Sequence, residues 1–229
     1  MSLTRTHVRT SLRKYHIWLG WLIGVPMLFW TLSGVVMVWK PIDEVRGSKL
    51  LADPAPIALA TRAVAPVVPG SFTSLTLEPR ADGPRWVIKS VGGSRLADPA
   101  TGRFLPALTA AGASREVRSR YRGSATIASV THTDPAHAPL DLRRDIASWQ
   151  VTMSDGTHFY VDAESGAIVA TRTRFWRFYD WMWGLHIMDL QGRADTHNPW
   201  IVGFGILTLV TTVLALVLLP LTGRRRRKR

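Results

Sequence analysis

Seven histidines and no cysteine bound the chemistry open to this 229-residue chain. Without thiols it cannot build a zinc–cysteine site, a cysteine nucleophile, an iron–sulfur cluster or a covalent c-type haem attachment from its own residues. Three of the histidines stand beside long apolar runs. His16 precedes "IWLGWLIGVPMLFWTLSGVVMVW", residues 17–39. His186 and His197 lie in "DWMWGLHIMDLQGRADTHNPW", residues 180–200, just before "WIVGFGILTLVTTVLALVLLPLT", residues 200–222. Imidazole is costly to bury among apolar groups unless it has a partner, and an ionisable residue at a membrane is a functional candidate by default. Neutral imidazole is a common axial ligand of haem iron, and a b-type haem needs only such ligands and a flat apolar slot. His16, His186 and His197 are therefore candidate haem-iron ligands. His16, Gly20, Gly24, Met27 and Thr31 recur at three- and four-residue steps and share one helix face. Gly20 and Gly24 form a GxxxG, which lets a second backbone or a macrocycle come close. His197 shares a face with Ile201, Phe204 and Thr208, and His186 lies about three turns along a Trp-rich helix from Phe175.

Each of these residues also has a plainer role. His16 beside Tyr15 suits a headgroup contact, His186 an aromatic belt, and His197 before Asn198-Pro199 the cap of a helix. GxxxG is a common helix-packing device. Trp176, Trp181, Trp183 and Trp200 suit interfacial anchors, and Met27, Met182 and Met188 suit core filling as well as sulfur ligation. His132, His137 and His158 fall in the soluble middle, where surface positions are ordinary, and His7 falls in a flexible tail.

The elements that must position these groups are two membrane spans. Each run is charge-free and long enough, at about 1.5 Å per residue, to cross a hydrocarbon core of roughly 30 Å. The first is too long for a secretory leader and reads as a retained signal-anchor. Arg5, Arg9, Arg13 and Lys14 precede the first span, and Arg224, Arg225, Arg226, Arg227, Lys228 and Arg229 follow the second, with no acid in either flank. The positive-inside rule places both termini in the cytoplasm and the middle outside it. The net charge of +13 thus reports topology and anionic lipid rather than nucleic acid. His16 would lie near the inner face and His186 and His197 near the outer one, about 30 Å apart.

The middle is internally repetitive. "RWVIKSVGGSRLADPATGRFL", residues 85–105, parallels "SWQVTMSDGTHFYVDAESGAIV", residues 148–169, with Asp98 matching Asp162 and Gly102 matching Gly166. "DPATG" and "DAESG" are turn signals, and "WVIKS" and "HFYVD" alternate with a strand period. Strands are expected near 71–78 and 125–131. A short helix is expected before each block, at 56–68, where prolines limit its length, and at 108–121. "HTDPAHAPLDL" reads as a loop. No nucleophile–base spacing marks a hydrolase.

The repeated Asp-x-x-(Ser/Thr)-Gly turn resembles the PepSY domain, in which a helix packs on a small antiparallel sheet. "YHIWLGWLIGVPMLFWTLSGVVMVWKP", 15–41, with its His, regular glycines and Ser/Thr-Gly, is similar to the first helix of the PepSY-associated transmembrane family. "WGLHIMDLQG", 183–192, is similar to that family's Leu-His segment, and "HNPW", 197–200, to its short two-span members. The resemblance implies a membrane α+β fold: two transmembrane helices flanking an extracytoplasmic domain of two PepSY-like repeats. The expected segments are a basic cytoplasmic tail (1–15), a first span (16–40), repeats at 41–107 and 108–174, a Trp-rich interfacial helix and loop (175–198), a second span (199–222) and a second basic tail (223–229). The resemblance also implies a haem-b protein of the bacterial inner membrane that reduces ferric iron or a ferric siderophore in the periplasm. It would draw electrons from a cytoplasmic or quinone-linked donor. Two spans would need a homodimer to rebuild a four-helix bundle. One or two haems, or more, would serve each dimer, an outer level on His186 and His197 and an inner one on His16 of each protomer. The alternative is a membrane-anchored PepSY binding or regulatory module, or a transporter subunit, without redox activity.

Overall fold

The computed structural model describes residues 2–58 and 62–223, in two compact units. The basic cluster Arg224–Arg229 lies outside the described residues.

The first unit comprises residues 1–40 and 178–229. Helix α1 runs from Ser2 to Trp39 and helix α5 from Pro199 to Gly223. No Pro or Gly interrupts the sequence between Ser2 and Ile17, so the expected flexible tail, His7 included, continues the helix instead. The stretches Arg9–Trp39 and Pro199–Pro220 are apolar and long enough to span a bilayer. Only 11% and 6% of their most apolar windows are buried, which excludes the core helix of a soluble domain. Trp18, Trp21, Val38, Trp200 and Leu219 are exposed apolar side chains of the kind that lipid covers. The helices pack together, with the Trp30 and Phe204 rings tilted against each other at 6.3 Å.

Helix α4 (Arg174–His186) crosses the boundary between units and ends on His186. A tightly bonded loop, 187–198, follows. The Asp189 carboxylate accepts the backbone N–H groups of Gly192, Ala194 and Asp195 at 2.9–3.1 Å. These bonds hold its carboxyl below the ordinary aspartate range. Buried Asp180 of α4 pairs with Arg193 of the loop at 2.9 Å. Asn198 closes the loop onto α5. Its Oδ1 accepts from the amides of Trp200 and Ile201, and its Nδ2 donates to the carbonyls of Ile187 and Asp195. The cap of α5 is thus Asn198 rather than His197, with Pro199 opening the first turn.

The second unit, 41–177, opens on a one-turn helix α2 (Ile42–Val45) and holds two antiparallel sheets. The first sheet is β1 (Ser74–Glu78), β2 (Arg85–Ser90) and β3 (Gly93–Ala97) in that order. The second is β4 (Ile127–Thr133), β5 (Ser148–Met153), β6 (His158–Asp162) and β7 (Ile168–Arg172), also in chain order. Helix α3 (Ala110–Arg120) is capped by Thr109, whose hydroxyl accepts from Gly112 N–H. Its Ala113 and Val117 pack on Val151 and Met153 of β5 and on Phe159 and Val161 of β6. The alternation of β5 and β6 turns Gln150, His158 and Tyr160 to the other face. There Tyr160 donates to Asp141 at 2.6 Å, and burial, with that bond second, raises its phenol far above the ordinary range.

The two repeats share their turn. Gly102 N–H bonds to Asp98 carbonyl at 2.7 Å, and Gly166 N–H bonds to Asp162 carbonyl at 2.9 Å. Both glycines have positive φ, 70° and 69°, which is why glycine recurs there. The first repeat departs from expectation at 56–68. Residues 59–61 lie outside the described residues, and the rest of the stretch is not helical. Pro56 and Pro66 remove N–H donors and disfavour a helical residue before them. Val64 bonds sideways instead, its N–H to Pro99 carbonyl at 2.7 Å and its carbonyl to the Trp86 indole at 2.8 Å.

Candidate functional site

The first unit brings His186 against a seat on α1. His186 Nδ1 lies 3.1 Å from Trp30 carbonyl and 3.1 Å from Ser33 Oγ. Ser33 is fully buried, and its hydroxyl donates to the same Trp30 carbonyl at 2.8 Å. A carbonyl only accepts, so the contact with Trp30 suits the tautomer that carries its proton on Nδ1. Nε2 has no hydrogen-bond partner among the described residues. The ring stacks on Trp30, with centroids 4.6 Å apart and planes 19° from parallel. Gly34 completes the seat: a Cβ there would stand 3.2 Å from His186 Cε1, tighter than an ordinary carbon contact. The segment Ser33-Gly34 in the apolar run is thus a hydroxyl and a clearance for one ring.

Beside this seat is a cavity of about 390 Å³ lined by Pro26, Phe29, Trp30, Leu185, Met188 and Trp200, among others. Apart from the indole nitrogens its side chains are apolar, and Trp30 is both a wall of the cavity and the stacking partner of His186. A half-buried imidazole with one nitrogen anchored and the other unpaired, stacked on a wall of an apolar slot, is chemistry that suits a flat macrocycle.

His16, Gly20 and Gly24 come together as expected, on one face of α1. With Ile17, Trp21 and Val25 they line a second open groove of about 390 Å³. His16 Nδ1 is buried without a hydrogen-bond partner, as is Thr208 Oγ1 on α5. The residues counted along α1 from His16 to Ser33 correspond to about 25 Å, so this groove and the His186 seat are separate levels.

His197 is joined to neither. It is exposed on the turn before α5, with Nδ1 3.1 Å from Thr196 Oγ1 and its backbone N–H on Asp195. Met182 is buried filling, Trp183 donates its indole N–H to Arg193 carbonyl, and Trp176 lies under the Arg172 guanidinium. In the second unit His132 meets the edge of Trp149, His158 lies near Asp141 and Gln150, and His137 is exposed. Among the described residues no three His, Asp or Glu side chains group as for a bare metal ion.

Residues 13–229 match the model of the PepSY-associated TM region. The chain belongs to this family. No curated protein and no solved structure matches it. As a member of the PepSY-associated TM family with two apolar helices, it is a membrane protein. Sequence reasoning did not connect Ser33, Gly34 and Trp30 with His186. One signal was present: a serine in an apolar span must find a partner, and the Ser33-Gly34 pair sits near the C-terminal end of the first apolar run.

Proposed function

We propose that this PepSY-associated TM protein carries haem b in the bacterial inner membrane and passes electrons outward to ferric iron or a ferric chelate. Both termini face the cytoplasm and the central domain the periplasm, as the basic flanks favour. The observation that supports the reading is His186, with Nδ1 anchored on α1, no partner for Nε2 among the described residues, and its ring stacked on Trp30, a wall of an apolar cavity. Metal-ligating imidazoles characteristically donate their other N–H in this way.

A haem held there would supply one-electron chemistry between ferric and ferrous iron. The chain's own residues do the rest. Ser33 and the Trp30 carbonyl orient His186, and Trp30 and Phe29 exclude water from one side of the slot. His197 offers a second outer imidazole, from the same protomer or its partner. His16, with an orphaned buried nitrogen above the Gly20–Gly24 groove, supports an inner level completed by a second copy. A homodimer would assemble a four-helix bundle and give His16 a symmetric mate. Each electron would come from a cytoplasmic or quinone-linked donor and leave as ferric iron becomes ferrous.

The test is anaerobic. Protein purified after expression with ample haem is reduced with dithionite, desalted and mixed with ferric citrate. The proposal expects haem absorbance and rapid return of the oxidised spectrum as ferrous iron appears. A colourless protein, or a reduced one that ferric citrate leaves unchanged, would contradict it.

A further inference from the structure

We infer that Ser33 is a positioning residue for His186. Together with the Trp30 carbonyl it holds Nδ1 and sets the ring's tautomer, so that Nε2, and not Nδ1, is the nitrogen offered to a ligand. Its consequence for haem rests on the reading above, but the seat is a property of the chain itself.

Three facts fix the arrangement. Ser33 is fully buried in a charge-free, mostly apolar span, where a hydroxyl is costly unless bonded. A lone serine in a helix satisfies itself by donating to a carbonyl one turn back, and Ser33 does so to Trp30. That bond alone leaves the lone pairs of Oγ unused. Nδ1 of His186, 153 positions away in sequence, meets both Oγ and the Trp30 carbonyl at 3.1 Å. The three atoms form a closed triangle with two protons, and the carbonyl supplies none of them. The alternative tautomer would set a bare Nδ1 against the Trp30 carbonyl, two lone pairs facing at 3.1 Å.

Trp30 and Gly34 fix the plane of the ring, one by stacking and the other by leaving the space that Cε1 occupies. Removing the Ser33 oxygen keeps the Trp30 carbonyl but deletes one of two acceptors for Nδ1–H. The ring is then free to rotate within its stack, and the second tautomer becomes populated. An imidazole that donates from Nδ1 is also a more basic ligand through Nε2. Loss of that bond favours the ferrous state of a ligated iron and raises its reduction potential.

The direct test uses haem-free protein, full length and in detergent micelles, with ¹⁵N-labelled histidine. Long-range ¹H–¹⁵N correlation in mildly alkaline buffer reads the tautomer, and His186 is assigned by the signal that His186→Gln removes. Wild type is expected to show His186 protonated at Nδ1 alone. Ser33→Ala is expected to bring in the Nε2–H form. Gly34→Ala, which keeps the hydroxyl, is expected to displace the ring signals without a comparable change of tautomer. In haem-loaded protein Ser33→Ala is expected to weaken haem binding by about 10- to 100-fold, the range typical of lost supporting bonds, and to raise the midpoint potential. An averaged or Nε2–H tautomer in wild type overturns the inference, as does a Ser33→Ala spectrum identical to wild type. If the tautomer responds as expected while no haem binds, the seat stands and the haem reading fails. If haem binds while the tautomer ignores Ser33, the haem reading stands and this inference fails.

Discussion

Asn198→Ala tests how the loop that carries His186 into α5 is held. Asn198 is buried and makes four hydrogen bonds, two accepted at the first turn of α5 and two donated to Ile187 and Asp195. Loss of an N-cap costs about 0.5–2 kcal/mol. Each donated bond adds about 1 kcal/mol, since the buried Ile187 carbonyl has no water to turn to. The sum is about 2.5–4 kcal/mol, or roughly 60- to 700-fold in a local opening equilibrium at about 1.4 kcal/mol per tenfold. Hydrogen exchange by mass spectrometry on detergent-solubilised protein reads that opening directly. The amides of peptides covering 187–202 should exchange faster by about that factor, while those of β5 and β6 stay unchanged. Asn198→Asp keeps the cap but sets a carboxylate against two carbonyls, so it should protect α5's first turn and still free Ile187. Unaltered exchange over 187–202 in Asn198→Ala would refute the assignment of this residue as the fastener.

Three further outcomes follow from the same geometry. Arg193→Ala removes one ion-pair partner of buried Asp180 on α4, and the melting transition of the first unit should fall by the equivalent of about 1–3 kcal/mol. Asp189 has a depressed pKa, so the bonds it accepts are fully present above the unfolded value of about 3.9 and are lost as pH falls through the folded one. Exchange at Gly192, Ala194 and Asp195 should therefore accelerate only in acid, and Asp189→Asn should blunt that dependence. Tyr160 has a raised pKa, so its contribution is complete below the unfolded value of about 10 and declines as pH rises beyond it. The phenol absorbance of Tyr160 should then resist alkaline titration until the second unit unfolds, and Tyr160→Phe should cost about 1–3 kcal/mol by removing the hydrogen bond to Asp141 Oδ1 while Oδ2 keeps His158.

The spans, the strands and the paired Asp–Gly turns could be read from the sequence because each is a local pattern. Charge-free runs report bilayer burial, period-two alternation reports a half-buried sheet, and Asp98–Gly102 and Asp162–Gly166 repeat one hydrogen bond. The stretch 56–68 misled because apolar residues suggested a helix while its prolines and Val64 favoured an extended path. The face shared by His16, Gly20 and Gly24 follows from helical spacing alone, and they do line one groove. The seat of His186 does not follow from any local spacing. Ser33 and His186 are 153 positions apart, and only the packing of α1 against the end of α4 makes them neighbours. Asn198 escaped notice for a similar reason, since half of its bonds reach back to Ile187 and Asp195.

The most direct measurement of the central claim is the haem-to-protein ratio and the reduced-minus-oxidised spectrum of wild type beside His186→Ala. The account predicts a Soret band with sharp reduced α and β bands in wild type, and loss of the outer-level signal in His186→Ala with the fold of the second unit intact. Haem content and spectra that ignore the loss of His186, or a wild type that stays colourless when haem is plentiful, would contradict it.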